Sequence, residues 1–495
     1  MKMNERMNKR LLFFLVLCCL CGCERNFEPA QSISEHPNIF PNYRDVTIPV
    51  NIAPLNFGMT DGSDKMEAHF LYEGKILIKC RGSHKIAIPA KAWRSMLHDA
   101  AGNDVQVQVF ARKEGKWRVF QPFNIFVASD SIDPYIAYRL IDPGYELWSK
   151  MGLYQRNLSN FEESAMITNR LTEKSCINCH SFHNYNPDRM LFHSRGEKSG
   201  GTFLFTDGRG QRINTKTKSA SAAGTYPVWH PSGDYIAFST NITRQTFHVL
   251  PGKKIQVYDL NSDLVVWDVK NGAMLRESQF TTKGTWEIFP AWSPDGRWLY
   301  FCSANEKNMP FESKQLMYGL YRVDFDAATG RFGQQIDTIS NPFISGKSVS
   351  FPRVSPDGRY LLYTASAYAA FPIWHSEARL EMIDLHDGSE VDIQAVNSNE
   401  ADSYHAWSSN GRWIVFSSRR IDGLYTRLFF VYFDSSGRVH KPFLLPQKDP
   451  SYNIELLKSY NVPEFIKGKL SINPYEISST LSGEIIDLNE IIHEN

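Results

Sequence analysis

Two thiols and an imidazole stand together in the string Cys176-Ile177-Asn178-Cys179-His180. The order C-x-x-C-H is that of covalent haem attachment: two reduced thiols meet the two vinyl groups of a porphyrin, and the adjoining imidazole falls under the iron. On this basis Cys176 and Cys179 are the thioether positions, His180 is the proximal ligand and the expected cofactor is one covalent haem c. Two other chemistries compete. His183 and His193 are near enough in sequence to join Cys176, Cys179 and His180 in a Cys2His2 zinc site, and the two thiols alone can close a disulfide. Structural zinc sites rarely need a histidine next to the second cysteine, so the order of residues favours haem.

The start of the chain points the same way. Lys2, Arg6, Lys9 and Arg10 precede an apolar run from Leu11 to Leu20, which is too short to remain as a membrane span and has the form of an export signal. The run ends in Leu20-Cys21-Gly22-Cys23, which resembles the bacterial lipobox. That resemblance implies that Cys23 is lipidated and becomes the mature N-terminus, so that residues 1–22 are a lipoprotein signal peptide and the membrane is held by a lipid anchor. Residues 23–40 contain Pro29, Pro37 and scattered Ser, Asn and Glu without apolar periodicity, and read as a tether. The expected location is the cell envelope, on the periplasmic face or at the outer membrane.

For the sixth position on the iron, Met190 and His193 are the candidates, since Asn186-Pro187 lets the chain turn back before them. Methionine would raise the reduction potential relative to a second histidine. His183 follows His180 too closely to reach the other face. The resemblance to cytochromes c is confined to about residues 145–195 and lacks the long spacing to a distal methionine seen in the small soluble class.

Composition bounds the partners. The chain has 495 residues with 54 Lys and Arg against 53 Asp and Glu, which leaves no basic excess with which to neutralise phosphates, so no nucleic-acid partner is expected. Of the eight cysteines, Cys80 and Cys302 have no assigned chemistry and read as small buried residues, with a disulfide between them as the alternative in an oxidising compartment.

The second half repeats itself. Tyr226-Pro-Val-Trp-His-Pro-Ser-Gly233, Phe289-Pro-Ala-Trp-Ser-Pro-Asp-Gly296, Phe351-Pro-Arg-Val-Ser-Pro-Asp-Gly358 and Tyr404-His-Ala-Trp-Ser-Ser-Asn-Gly411 each run into a further apolar strand. Each copy is strand, tight turn, strand, with the glycine free to take positive φ. At roughly 50–60 residues per copy, with other strand patterns in each interval, the unit is a propeller blade. The W-S-P-D-G-R core resembles the WD-like repeat of the TolB propeller and of the propellers attached to prolyl-oligopeptidase-type enzymes. The resemblance implies a binding propeller over residues 196–450 with five or six blades. No G-x-S-x-G elbow follows it, so the peptidase branch is set aside.

The first half alternates apolar and polar residues, as in Lys75-Ile-Leu-Ile-Lys79 and Val105-Gln-Val-Gln-Val-Phe110, and predicts a β-sandwich over residues 41–135. Its His69, His84 and His98 are unclustered. Apolar spacing over residues 136–195 predicts short helices enclosing the haem, and residues 451–495 are expected to pack along the propeller rim. The expected whole is mainly β: sandwich, short helical haem segment and C-terminal propeller. Its function would be electron transfer or redox sensing, with a redox partner or another envelope protein bound through the propeller. The alternative is a non-redox TolB-like scaffold in which the C-x-x-C-H segment holds zinc or a disulfide. No catalytic acid, base or second cofactor is visible.

Overall fold

The computed structural model describes residues 31–142, 150–172, 174–250 and 253–493. The expected signal, Cys23 and the first part of the tether, residues 23–30, lie outside the described residues; the rest of the expected tether is bound into the N-terminal domain, with Gln31–Ser32 pairing Arg118–Val119 and Ile39–Phe40 pairing Gly58–Met59. No helix among the described residues is long and apolar enough to cross a membrane.

The W-S-P-D-G-R segments fold as turns for a reason visible in their hydrogen bonds. Ser293 Oγ donates to Asp295 and accepts from Trp298 N at 2.9 Å, and Ser355 does the same with Asp357 and Tyr360 N, also at 2.9 Å. One hydroxyl thus closes the turn and starts the next strand. The motif tryptophans then tie each blade to the one before. Trp229, Trp292 and Trp407 donate their indole N–H to the carbonyls of Ser181, Val228 and Arg353 at 3.4, 3.2 and 3.2 Å.

Six blades form the ring, each a four-stranded antiparallel core. Blades 3 to 6 open with the inner strands Thr225–Trp229, Thr285–Trp292, Ser348–Val354 and Asp402–Trp407, which are the four repeats read from sequence. Blade 2 is made of Cys176–Phe182, Arg189–Arg195, Gly201–Thr206 and Arg209–Asn214. Blade 1 takes Tyr135–Ile141, Met151–Asn157 and Glu163–Thr168 from the middle of the chain and Ser459–Ile466 from its end. The propeller therefore starts at residue 135 rather than 196, and the helices expected over residues 136–195 are strands. Tyr145, Leu147 and Trp148, on which that helical period partly rested, lie outside the described residues. The C-terminal segment supplies more than a rim: Ser459–Ile466 is the inner strand that closes the ring. Beyond it, Ile485–Asp487 and Asn489–His493 add parallel edges to blades 2 and 3.

The N-terminal domain carries the predicted alternating strands, with Lys65–Tyr72 between Lys75–Gly82 and Asp104–Lys113. Seven strands hydrogen-bond into one sheet, where two facing sheets were expected. The helix Ala90–Asp99 packs its Trp93, Met96 and Leu97 into the domain core. The domain joins the propeller through one continuous apolar core and through bonds such as Thr47 Oγ1 to His440 at 3.0 Å and Asn56 Nδ2 to the Lys448 carbonyl at 3.0 Å.

Candidate functional site

The inner strand of every blade breaks at the same place. Cys179, Tyr226, Phe289, Phe351, Tyr404 and Val462 have φ between 48° and 58°, and each break coincides with a slip in pairing to a neighbouring strand. Such a bulge re-aims side chains that would otherwise alternate across the strand. Aligned on it, Cys179-His180-Ser181-Phe182 stands where the other blades have Tyr226-Pro227-Val228-Trp229 or Phe289-Pro290-Ala291-Trp292. The C-x-x-C-H string is the channel-facing bulge of blade 2.

What fills the channel depends on the residue at that bulge. Tyr226, Phe289, Phe351 and Tyr404 pack into an aromatic belt, with centroid separations of 4.7 Å, 4.0 Å and 5.0 Å between successive rings. Cys179 and Val462 are too small to complete it. On their side lies a cavity of about 750 Å³, within the roughly 300–1,000 Å³ of ordinary cofactor and ligand sites.

Cys176, Cys179 and His180 all line this cavity. In an unbroken strand, residues three apart face opposite sides; here the strand bulges at Cys179, and both thiols border the cavity. His180 is buried, and its Nε2 has no hydrogen-bond partner. Burial and the nearby Arg139 guanidinium push its pKa down to about 3, against a backbone hydrogen bond at Val462, so the ring is neutral with an unused nitrogen. Burial raises the Cys176 thiol, and Asn178 Nδ2 donates to its Sγ at 3.5 Å.

The walls are cationic. Arg139, Arg195, Arg353 and Arg419 line the cavity; Glu464 attracts Arg353, and Asp422 and Glu400 attract Arg419, without a close ion pair among the described residues. The Nε atoms of Arg139 and Arg419 are buried without a partner. Arg419 lies 4.2 Å over the Trp374 ring, and burial lowers its pKa to about 10. Of the lining acids, Asp142 is matched by Lys458 at 3.5 Å. Glu464, whose Oε1 accepts from Phe182 N at 2.8 Å, is pushed up to about 8 by burial.

A hairpin, Ile242–Leu250 paired with Lys253–Asn261, leaves blade 3 between its second and third strands. Thr243, Gln245, Phe247, Ile255 and Val257 put one of its faces on the cavity. It reaches the 3-10 turn Pro372–Trp374 of blade 5, and so closes one end of the channel.

The other sequence candidates lie elsewhere. Met190 and His193 are on the second strand of blade 2. Met190 is inside the apolar core, and His193 Nδ1 lies 3.2 Å from Thr202 Oγ1; neither lines the cavity. His183 Nε2 donates to the Pro231 carbonyl at 3.0 Å at the seam with blade 3. Of the five residues of the zinc alternative, His183 and His193 thus lie away from Cys176, Cys179 and His180. Among the described residues no three or more His, Cys, Asp or Glu converge as a metal site would need. Cys80 and Cys302 are buried and far apart in the fold, in the N-terminal sheet and blade 4.

No known family model matches the chain, and no curated protein matches it. The chain has remote likenesses among solved structures. A puromycin-hydrolyzing peptidase of Mycobacterium tuberculosis is 11% identical with a TM-score of 0.33, over 70% of this chain and 52% of that one. Prolyl oligopeptidase B from Galerina marginata is 10% identical with a TM-score of 0.34, over 56% and 39%. An endo-arabinase from Bacteroides thetaiotaomicron is 9% identical with a TM-score of 0.26, over 52% and 89%. The chain thus spans about half of the first and less of the second. Its propeller architecture rests on its own strand pairing.

The residues that sequence reasoning missed are the arginines and the hairpin. They come from five separate stretches of chain, and only ring closure brings them together. One signal was available for the bulge itself: Val462-Pro463-Glu464-Phe465 repeats the aromatic-Pro-x-aromatic pattern with valine first.

Proposed function

We propose that this chain is an exported, lipid-anchored propeller protein carrying one covalent c-type haem in its channel, for electron transfer or redox sensing. The observation that carries the reading is the presence of Cys176, Cys179 and the unpartnered His180 nitrogen on one cavity wall. The donor set suits the group: two thiols, a neutral imidazole with a free Nε2, and lining arginines that could face two propionates. Cys176 and Cys179 would hold the group by thioether bonds, each thiol adding sulfur to one vinyl carbon and its hydrogen to the other, so that nothing would be lost or oxidised. When bound, the haem supplies a one-electron couple.

The protein's part is to hold and insulate. Burial keeps His180 unprotonated, and its unpartnered Nε2 would be the atom available to hold the iron. The aromatic belt and the hairpin line the cavity with apolar side chains, and such a shell lowers the local dielectric around a bound group. Cys23 is the proposed lipid site and the envelope the proposed location, with a redox partner or another envelope protein on the propeller. The test is a pyridine haemochrome spectrum of full-length protein exported with a c-type maturation system, beside Cys176→Ala and Cys179→Ala. A c-type spectrum and haem retained through denaturing electrophoresis, weakened in each variant, is the expected result. Wild-type protein without haem refutes the proposal.

The lining arginines favour one second reading, a binding scaffold for an anionic ligand in the same cavity. Under it the haem-free protein binds a polycarboxylate probe, and Arg139→Gln and Arg353→Gln abolish that binding.

A further inference from the structure

We infer that His248, on the hairpin that closes the channel, is the second axial ligand of the haem. This inference rests on the haem reading above and assigns the position that the sequence left to Met190 or His193.

Three observations converge on His248. It lines the same cavity as His180, Cys176 and Cys179. Its Nε2 is buried and has no hydrogen-bond partner, which leaves His180 and His248 as the two lining histidines whose Nε2 is idle. The hairpin also carries the irregularity needed to aim it. Pairing is regular from Gln245↔Val257 to Phe247↔Ile255 and then slips before Leu250↔Lys253. Without that slip, Phe247 and His248 would point to opposite faces; with it both line the cavity.

The rival donors in the cavity are already engaged. His405 holds the blade 6 position equivalent to His180, but its Nε2 donates to the Leu362 carbonyl at 3.0 Å and its Nδ1 lies 3.5 Å from Thr364 Oγ1. Met151 Sδ accepts from Ile177 N at 3.1 Å. Met190 and His193 are one strand removed from the channel, in the interior of blade 2. An imidazole also suits the site: a second nitrogen donor besides His180 would make the iron six-coordinate and low-spin, with a lower potential than methionine ligation.

The assignment makes the hairpin part of the cofactor site. It springs from blade 3 and touches blade 5, while the proximal histidine belongs to blade 2, so the haem would cross-link the lid to the ring.

The test uses full-length haem-loaded protein, with haemochrome and circular dichroism spectra confirming that every sample compared is loaded and folded. Wild type should be low-spin in both oxidation states by visible absorption and electron paramagnetic resonance. His248→Ala should lose the low-spin ferric signal for a high-spin one, and added imidazole should restore it. His248→Met should stay six-coordinate with a more positive midpoint potential. A loaded His248→Ala that remains low-spin without added imidazole, or a wild type that is already high-spin, overturns the assignment while leaving attachment intact. A wild type that takes up no haem overturns the reading beneath it and the assignment with it.

Discussion

Replacing Gly296 by alanine tests how neighbouring blades pack. Gly296 and Gly358 hold the same turn position in blades 4 and 5, with φ of 76° and 77°, so alanine meets the same left-handed backbone penalty of about 1–2 kcal/mol at each. Their surroundings differ. A Cβ on Gly358 would have Pro294 Cδ at 4.0 Å, an ordinary contact, whereas on Gly296 it would lie 2.3 Å from His230 Nε2 and 2.6 Å from its Cε1. His230 cannot step aside easily, because its Nε2 donates to the Gly296 carbonyl at 3.0 Å, its Nδ1 bonds Ser232 Oγ at 2.9 Å, and Trp292 packs edge-on at 4.9 Å. Overpacking of this kind adds about 1–3 kcal/mol. Gly296→Ala should therefore lose about 2–5 kcal/mol and Gly358→Ala only about 1–2 kcal/mol. Blades 4, 5 and 6 have Ser293, Ser355 and Ser408 where blade 3 has His230. In a His230→Ser background the excess at Gly296 should vanish, appearing as a coupling of about 1–3 kcal/mol in a double-mutant cycle. Urea unfolding of the full chain, followed by tryptophan fluorescence with the m-value compared across variants, measures it. Equal losses at the two glycines, or strict additivity with His230→Ser, would refute the packing argument.

Two more expectations concern titration and closure. His180, His193 and His405 are held near pKa 3 by burial, while Asp259, Glu287 and Glu464 are raised by burial to about 7, 8 and 8. The histidines bind protons only in the unfolded chain between about pH 6.5 and 3, which removes stability as pH falls. The carboxyls bind protons only in the folded chain between about pH 4.5 and 7–8, which removes stability as pH rises. The two sets oppose each other from about pH 4.5 to 6.5, so urea midpoints of the haem-free protein should be flat there and drop at pH 3.5 and at pH 8; a maximum at pH 8 would contradict the burial of the carboxyls. A chain ending at residue 450 lacks Ser459–Ile466, leaves Tyr135–Ile141 as an unpaired edge, and should be degraded rapidly by trypsin. A chain ending at residue 467 keeps that strand and should resist; equal resistance of the two would deny its role in closure.

Blades 3 to 6 were legible because each carries its own turn chemistry, Ser or His, Pro or Ser, Asp, Asn or Ser, and glycine within one short segment. Blades 1 and 2 were not. In blade 2 the turn is Asn186-Pro187-Asp188-Arg189 without glycine, and the bulge residue is Cys179 where an aromatic stands elsewhere. In blade 1 the inner strand comes from the far end of the chain, a pairing that no local pattern announces. The helical period over residues 136–195 misled because strand preference depends on burial from both faces, which here is supplied by neighbouring blades. The thiols and imidazole were evident as chemistry. Their setting was not, since the cavity that both thiols border is a property of the closed ring.

The closing strand fixes an order of assembly. Blade 2 borders the seam, and the neighbour that covers its inner strand on that side is Ser459–Ile466, whose Glu464 accepts from Phe182 N at 2.8 Å. More than 270 residues separate Cys179 from that strand, so the groove holding both thiols and His180 is complete on that side only when the strand is in place. Whatever is joined to those thiols can be joined before the wall shuts, and the same strand then seals the work behind it.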